Sequence, residues 1–157
     1  MQHLYLIALG SNRRHHRHGT PRAVLSAVVE ALGELGAVEA VAPVMNSRPL
    51  GPSRRAYANG AVLLSSDSDP LELLAALKRI ERRFGRRRGR QWGERTLDLD
   101  IILWSGGAYS GPGLVIPHPH FRERDFVLKP ATAIAPRWRD PLTGRTLAQL
   151  NAHLSKN

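Results

Sequence analysis

The sequence predicts an α+β fold in which helices alternate with the strands of one antiparallel sheet. Four segments have the apolar, β-branched character of strands, and two segments between them begin with strong helix N-cap signals. Their order is β-α-β-β-α-β, which is the ferredoxin-like arrangement, and a C-terminal extension follows. A chain of 157 residues can bury a core of its own, so we expect residues 1–157 to form a single domain.

Each predicted strand is a short apolar run bounded by turn residues. Gly10 ends the first strand, and Pro43 marks the second as an edge or bulged strand because proline cannot donate a hydrogen bond to a sheet. The four predicted strands cover residues 4–9, 38–45, 57–64 and 96–104.

The predicted helices are recognised by their first turns. Thr20-Pro21 supplies an N-cap and a first-turn proline, and Asp69-Pro70 does the same with Glu72 placed to complete a capping box. Apolar stripes at helical spacing follow both signals, and each stripe ends at a glycine. In the C-terminal extension we expect a short strand at 126–128 and a helix that begins at Thr146.

Positive charge is concentrated in two segments. The chain carries a formal charge of +10; residues 78–95 hold nine basic and two acidic side chains, and residues 13–22 hold four arginines and no acid. Such regions favour a polyanionic ligand, either nucleic acid or a small phosphate-rich molecule, although a solubilising surface has the same pattern. The absence of cysteine excludes disulfides, thiolate metal sites and thiol catalysis.

No segment predicts a membrane span or a secretion signal. The longest apolar run, at 4–9, is far shorter than the roughly 20 residues that cross a bilayer, and no basic region precedes it. We therefore expect a cytoplasmic protein with no membrane contact.

Two acids on the fourth predicted strand are the main candidates for chemistry. Side chains alternate along a strand, so Asp98 and Asp100 share one face, with Cα atoms about 6.6–6.8 Å apart. Carboxylates at that spacing can each reach metal ions about 3.5–4 Å apart, and aspartate oxygens suit Mg²⁺. A solvated strand end is the alternative. The apolar residues after Asp100 favour a central strand, where two like charges need a compensating cation.

An arginine-rich loop lies next to these acids in the sequence. Guanidinium groups bind phosphate oxygens in bidentate fashion, and the loop offers Arg86, Arg88 and Arg95. Carboxylates for Mg²⁺ beside arginines for phosphate indicate polyphosphate chemistry. The sequence contains no P-loop motif, so side chains have to hold any nucleotide.

Several short motifs occur in the order found in one enzyme family. They are Gly10-Ser11-Asn12, Pro49-Leu50-Gly51-Pro52 with Tyr57-x-Asn59, Arg-Thr-Leu-Asp-Leu-Asp-Ile at 95–101, Ile116-Pro117-His118-Pro119, and Arg124-x-Phe126-Val127-Leu128-x-Pro130. Over essentially its whole length the chain resembles the 6-hydroxymethyl-7,8-dihydropterin pyrophosphokinase family of folate biosynthesis, whose ferredoxin-like fold agrees with the predicted element order.

The resemblance implies transfer of a diphosphate group from ATP to the pterin's hydroxymethyl group, with release of AMP. Asp98 and Asp100 would bind two Mg²⁺ ions that bridge the triphosphate, and Arg86 and Arg95 would act with them in catalysis. The residues implied to hold the nucleotide are Arg88, Ile101, His118 and Arg124. The residues implied to line the pterin pocket are Ser47, Leu50, Tyr57, Asn59, Trp92 and Phe126, with Trp92 and Phe126 stacking on the ring.

Four positions depart from the pattern of the family. Glu94 stands where proline is frequent, and Arg48 belongs to a Ser-Arg pair where Thr-Pro is common. Gly113 and Pro119 replace an arginine and an aromatic residue that often contact the nucleotide. The metal pair is intact, so these departures bear on ATP affinity and on the pterin pocket.

Two other functions compete with the enzyme. A ferredoxin-like domain with this charge could bind nucleic acid, but the aromatic residues that RNA-recognition sheets carry on adjacent strands are missing. A catalytically silent paralogue that binds pterin or nucleotide is the second alternative. We expect a monomer whose partners are the two small-molecule substrates.

Overall fold

The computed structural model describes residues 2–11, 19–47, 57–85 and 97–156. Its strands are β1 (His3–Ser11), β2 (Ala37–Val41), β3 (Met45–Ser47), β4 (Tyr57–Ser66), β5 (Asp98–Trp104), β6 (Tyr109–Gly111) and β7 (Leu114–Ile116). Its helices are α1 (Pro21–Leu32), α2 (Pro70–Arg83), α3 (Asp125–Ile134) and α4 (Leu147–Ser155), and a 3₁₀ turn covers Phe121–Glu123. The prediction of mixed helices and antiparallel sheet is confirmed. None of the described helices is long and apolar enough to cross a membrane.

The main sheet has the strand order β2-β4-β1-β5, and β3 pairs with β4 beyond the end of β2. All of its described pairings are antiparallel. Strand β1 therefore lies between β4 and β5. In its register, Gly10 is opposite Asn59 of β4 on one side and Asp98 of β5 on the other. Strands β6 and β7 form a separate hairpin.

Helices cover the two faces of this sheet differently. On the first face, Tyr5, Ile7 and Leu9 of β1 are buried against apolar residues of α1 and α2. On the second face, Leu6 and Ala8 are buried in a separate cluster with residues of α3 and α4. We call these the α1/α2 face and the α3/α4 face. Because side chains alternate along β1, this strand contributes residues to the apolar cores on both faces.

The predicted helix starts are confirmed by their capping hydrogen bonds. The Thr20 hydroxyl accepts from Ala23 N at 3.2 Å, and Asp69 N donates to the Glu72 carboxylate at 3.0 Å. At α4 the Thr146 hydroxyl accepts from Gln149 N at 3.1 Å, while Thr146 N donates to the Gln149 side chain at 2.9 Å. Side chains in the first turn therefore satisfy main-chain groups that a helix end leaves without partners.

Two details of the prediction are wrong in this part of the chain. Residues 126–128 belong to α3 and not to a strand. Three apolar residues are too few to distinguish the two periods, and here they continue into a helix whose buried side packs in the α3/α4 cluster. The predicted strand at 38–45 is divided into β2 and β3, with Pro43 in the break.

Strand β5 does not have the predicted central position, because it is the last of the described strands on its side of the sheet. Its continuous apolar run reflects burial on both faces and not two strand partners. A bulge at Ile102 interrupts the pairing with β1. The outer edge of β5 still forms hydrogen bonds: Leu99 N donates to the Glu81 carboxylate at 2.8 Å, and Ile102 O accepts from His118 N at 3.1 Å.

A buried ion pair holds the layer on the α3/α4 face together. The guanidinium of Arg122 donates to both oxygens of Asp140, at 2.6 and 2.8 Å, and Asp140 is 0% exposed. Leu142 N and the Thr143 hydroxyl donate to the same carboxylate. Burial alone would raise the pKa of Asp140, but these hydrogen bonds together lower it below its usual value. The segment before α4 is thereby fixed to the turn before α3.

Candidate active site

Asp98 and Asp100 lie on the α3/α4 face of β5, as the alternation predicts. Leu97, Leu99 and Ile101 are buried in the opposite core, whereas Asp98 is half-buried and Asp100 is exposed. Asp98 is aligned with Gly10 of β1, and Asp100 is aligned with Ala8. Because glycine and alanine have almost no side chain, they leave open space beside the two carboxylates, and this part of the sheet forms the floor of a cavity.

The smaller of two cavities at this floor has a volume of about 190 Å³. Its lining comes from β1, β4, β5 and the start of α3. The lining residues are Ala8, Leu9, Gly10, Tyr57, Asn59, Asp98, Asp100, Arg124, Phe126 and Val127. It thus combines an aromatic ring, a buried amide (Asn59, 5% exposed) and two carboxylates, a set suited to a flat polar ligand.

Gly10 is the residue that opens this cavity. It lies between Asn59 and Asp98 in the register of the sheet. A Cβ atom placed there would be 3.4 Å from the Asn59 side-chain nitrogen, so any larger side chain would fill the floor. At the mouth, the guanidinium of Arg124 lies over the Phe126 ring, 5.8 Å from its centroid.

The larger cavity is a cleft of about 450 Å³ on the other side of the carboxylates. It is lined by α2, β5, the β6–β7 hairpin and the loop that follows the hairpin. The lining residues are Leu74, Lys78, Glu81, Asp98, Leu99, Asp100, Ile101, Gly111, Gly113, Leu114, Val115, His118 and Pro119. Asp98 and Asp100 therefore line both cavities.

His118 has a defined protonation state in this cleft. Its Nδ1 atom accepts a hydrogen bond from His120 N at 3.1 Å, so the neutral ring carries its proton on Nε2. Burial, together with the nearby Arg124 and His120, lowers the pKa of His118 to about 4. At neutral pH the ring is an uncharged donor and not a cation.

The carboxylate pair fits Mg²⁺ in its donor type. Mg²⁺ prefers oxygen ligands and is commonly held by one or two carboxylates together with substrate phosphates. Within the described residues, no group of three or more His, Asp or Glu side chains converges as a complete metal cage. The pair therefore suits a cation whose coordination is completed by a polyphosphate substrate.

Comparison with known proteins places the chain in one family. Residues 6–136 match the sequence pattern of the 7,8-dihydro-6-hydroxymethylpterin-pyrophosphokinase (HPPK) family. The chain belongs to the HPPK family. It is 41% identical over 155 residues to a Pseudomonas aeruginosa protein named 2-amino-4-hydroxy-6-hydroxymethyldihydropteridine pyrophosphokinase, and the match covers 97% of this chain and 91% of that protein.

Other relatives carry the HPPK sequence or fold in longer chains. A Synechocystis pyrophosphokinase of the same name is 45% identical over 113 residues, which cover 72% of this chain and 58% of the relative. A crystal structure of Plasmodium falciparum HPPK-DHPS has the same fold, with a TM-score of 0.77 at 14% identity, and covers 98% of this chain. This chain spans 45% of that protein.

The HPPK structure brings together the described part of the predicted site. Asp98, Asp100, Tyr57, Asn59, Arg124 and Phe126 line the smaller cavity, and Ile101 and His118 line the larger one with the two acids. Ser47 ends β3 opposite Tyr57. The predicted residues Leu50, Arg86, Arg88, Trp92 and Arg95 lie outside the described residues, as do Arg48 and Glu94.

The two departures that are described both lie on the larger cleft. Gly113 belongs to the Pro112-Gly113 connection of the β6–β7 hairpin, where its φ of 73° favours glycine over other residues. No heavy atom lies within 4 Å of a Cβ placed on Gly113. Pro119 directly follows His118, and both line the same cleft.

The sequence analysis missed the contribution of α2 to this cleft. Lys78 is exposed there, and Glu81 is buried with 5% exposure. A signal for Glu81 was present, because it stands four residues after Leu77 and so falls on the buried side of the helix. An acid within an apolar helical face needs a partner, and its partner Leu99 N is distant in sequence.

Proposed function

We propose that this chain transfers a diphosphate group from ATP to the hydroxymethyl group of 6-hydroxymethyl-7,8-dihydropterin and releases AMP. Its membership of the HPPK family supports this reaction. The structural observation that supports it best is the pair of adjoining cavities that share Asp98 and Asp100. A reaction between two substrates requires such a junction, because the reacting atoms have to meet there.

The smaller cavity is the proposed pterin site. A pterin is a flat heteroaromatic ring with a polar amide edge. Phe126 and Tyr57 offer aromatic surface to such a ring, and the buried Asn59 amide can donate and accept hydrogen bonds along its edge. We infer that Trp92 stacks on the opposite side of the ring and that Ser47 and Leu50 complete the pocket, in line with the family's motifs.

The larger cleft is the proposed ATP site. Its apolar wall of Leu74, Ile101 and Leu114 suits a purine base, and the carboxylates lie at the end where the phosphates would reach the pterin. His118 would donate from Nε2 to the nucleotide. We infer that Arg86, Arg88, Arg95 and Arg124 bind the phosphates, because guanidinium groups match phosphate oxygens in geometry and charge.

Asp98 and Asp100 are the proposed ligands of two Mg²⁺ ions. When bound, these ions neutralise the charge of the triphosphate and hold it for in-line displacement. Release of AMP requires that the hydroxymethyl oxygen attack the β-phosphorus of ATP. The new O–P bond then forms as the bond from the β-phosphorus to the bridging oxygen on the AMP side breaks. The residues of the chain orient the two substrates along that line and exclude water from it.

The proposed architecture is ferredoxin-like and comprises a single domain. The strand order β2-β4-β1-β5, together with α1 and α2 on one face, supports this topology. The monomeric state and the cytoplasmic location expected from the sequence stay predictions.

Product analysis tests the reaction directly. The protein is mixed with ATP, Mg²⁺ and the hydroxymethyl dihydropterin, and the nucleotides are separated by ion-exchange chromatography. We expect AMP in amounts equal to the pterin diphosphate formed, and none when pterin or Mg²⁺ is omitted. ADP as the only nucleotide product would indicate an ordinary kinase. Tight binding of both substrates without turnover would indicate the silent paralogue.

A further inference from the structure

Glu81 is a buried carboxylate on an otherwise apolar helix face. The other buried residues of α2 are Pro70, Leu73, Ala76, Leu77 and Ile80. Glu81 is 5% exposed, and one of its carboxylate oxygens lies 2.8 Å from Leu99 N. A buried carboxylate is costly unless hydrogen bonds compensate it, so this acid needs a reason to be there.

The hydrogen bond from Leu99 falls between the two carboxylates of the site. Leu99 separates Asp98 from Asp100, and its N–H points away from β1 to the outer edge of β5. On its inner side, pairing with β1 holds the strand. On its outer side, no described strand pairs with β5, and Glu81 takes the place of a strand partner at Leu99.

The orientation of this peptide group determines where both acids point. The Leu99 N–H belongs to the peptide plane that joins Asp98 to Leu99, and a rotation of that plane would turn the Asp98 side chain relative to Asp100. Helix α2 is in turn anchored by its buried apolar residues. Glu81 therefore connects a rigid helix to the segment that has to hold two carboxylates at a fixed separation.

We propose that Glu81 is a positioning residue: by accepting the Leu99 N–H, it holds Asp98 and Asp100 in the geometry that binds divalent cations. This inference rests on the proposed function of the two acids. It assigns the effect to the hydrogen bond and not to the negative charge of Glu81. Residues that orient metal ligands in this way are typically worth about 10- to 100-fold in metal affinity or activity.

Three variants separate the hydrogen bond from the charge. Glu81→Gln keeps a side-chain oxygen that can accept from Leu99 N but removes the charge. Glu81→Leu removes both and keeps a similar volume. Glu30→Gln is the matched control, because Glu30 is an exposed acid on α1. Thermal unfolding of each variant checks that it folds, and if Glu81→Leu does not, Glu81→Ala replaces it.

The first measurement needs no activity. Hydrogen exchange followed by NMR reports the Leu99 amide, and electron paramagnetic resonance reports the affinity for Mn²⁺ in the presence of a non-hydrolysable ATP analogue. In Glu81→Leu we expect faster exchange at Leu99 and Mn²⁺ affinity lower by about tenfold or more. In Glu81→Gln and Glu30→Gln we expect slow exchange at Leu99 and Mn²⁺ affinity within about threefold of the unaltered protein.

The second measurement is turnover. In Glu81→Leu we expect kcat to fall by about 10- to 100-fold while the KM for the pterin changes little, and Glu81→Gln should recover most of the loss. Equal defects in Glu81→Gln and Glu81→Leu would overturn the proposal, since the charge would then be responsible. Normal Mn²⁺ affinity in Glu81→Leu would overturn it as well. If the unaltered protein releases no AMP, the proposed function fails, and the exchange and Mn²⁺ data still decide the role of Glu81.

Discussion

The two faces of the sheet are built from the same strands but have different uses. The α1/α2 face is covered by apolar packing, with Tyr5, Ile7 and Leu9 at its centre. The α3/α4 face has its own apolar cluster around Leu6, and it opens at Ala8 and Gly10 into the smaller cavity. Because side chains alternate between the two faces along β1 and β5, a core residue and a site residue are neighbours in sequence. A single substitution can therefore change stability without changing the site, or the reverse.

On strand β5, residues of the site and of the core alternate, so substitutions there should separate activity from stability. We expect Asp98→Asn and Asp100→Asn each to lower turnover by about 10³-fold, because asparagine keeps the size of the side chain but loses the negative charge that would hold a cation at the reacting phosphate. Leu99→Ala, between them, should lower the free energy of unfolding by about 2–5 kcal/mol, since Leu99 is 5% exposed in the α1/α2 core.

Steady-state kinetics and urea unfolding of the three variants check this prediction. A fully active Asp98→Asn or Asp100→Asn protein would contradict the assignment of these acids. A Leu99→Ala protein with unchanged stability would show that the two faces are not divided as described.

The layers on the two faces are also held by different forces. The α3/α4 layer depends on the Arg122–Asp140 pair, so Asp140→Ala should destabilise the protein by about 2–3 kcal/mol, because the half-buried Arg122, Leu142 N and the Thr143 hydroxyl all lose their acceptor. Glu34→Ala is the control, because the Arg83–Glu34 pair is exposed on both sides and should contribute less than about 1 kcal/mol.

Urea unfolding at neutral and acid pH measures both effects. Since the pKa of Asp140 is lower in the folded protein than in the unfolded chain, its stabilisation is present above the unfolded value and is lost as the pH falls through the folded one. Asp140→Ala should abolish that part of the acid sensitivity. Equal destabilisation by Glu34→Ala would contradict the distinction.

Two glycines on adjacent strands provide a finer comparison. Gly10 lies on the α3/α4 face at the cavity floor, whereas Gly60 lies opposite Leu9 on the α1/α2 face, where a Cβ would make ordinary contact with Leu25 at 3.7 Å. Gly10→Ala should raise the KM for the pterin by about tenfold or more, in line with about 1–3 kcal/mol for overfilling a tight site. Gly60→Ala should leave that KM within about twofold, because its methyl group lies on the other face.

Calorimetric titration with the pterin measures the same difference without turnover. Equal affinities in the two variants would mean that the pterin does not occupy the cavity above Gly10.

A further prediction concerns pH. The pKa of His118 is about 4 in the folded protein and about 6.5 in an unfolded chain, so the unfolded state binds the proton first. We expect the stability provided by neutral His118 to be complete above pH 6.5 and to decline as the pH falls towards 4. His118→Gln should flatten the stability profile in that window, as measured by thermal unfolding between pH 4 and 7.5. An unchanged slope would show that His118 is not shielded from water.

Local sequence was sufficient for the features that depend on neighbouring residues. Thr20, Asp69 and Thr146 cap helices through bonds to residues three positions away, so their signals were readable without tertiary information. The common face of Asp98 and Asp100 follows from the period of a strand in the same way. The other site residues were predicted from the motifs that occur in the same order in the family.

Features that depend on distant residues could not be predicted in this way. Strand β5 lies at the end of the described sheet and packs against α2 and β7, but its apolar sequence is equally typical of a central strand. The helix at 125–134 forms because Val127, Leu128 and Ala131 bury against the α3/α4 face, which three apolar residues do not reveal. The hydrogen bond from Leu99 N to Glu81 joins residues 18 positions apart.

The covered outer edge of β5 has a further consequence for solubility. An exposed strand edge presents free N–H and C=O groups to which a strand of another molecule can pair, which is a common route to aggregation. At β5 the contacts with Glu81 and His118 occupy two of these groups. At the opposite edge a bulge between Val38 and Ala40 and the break at Pro43 interrupt the ladder. The bonds that hold the site in place thus also occupy two edge groups to which a strand of another molecule could otherwise pair.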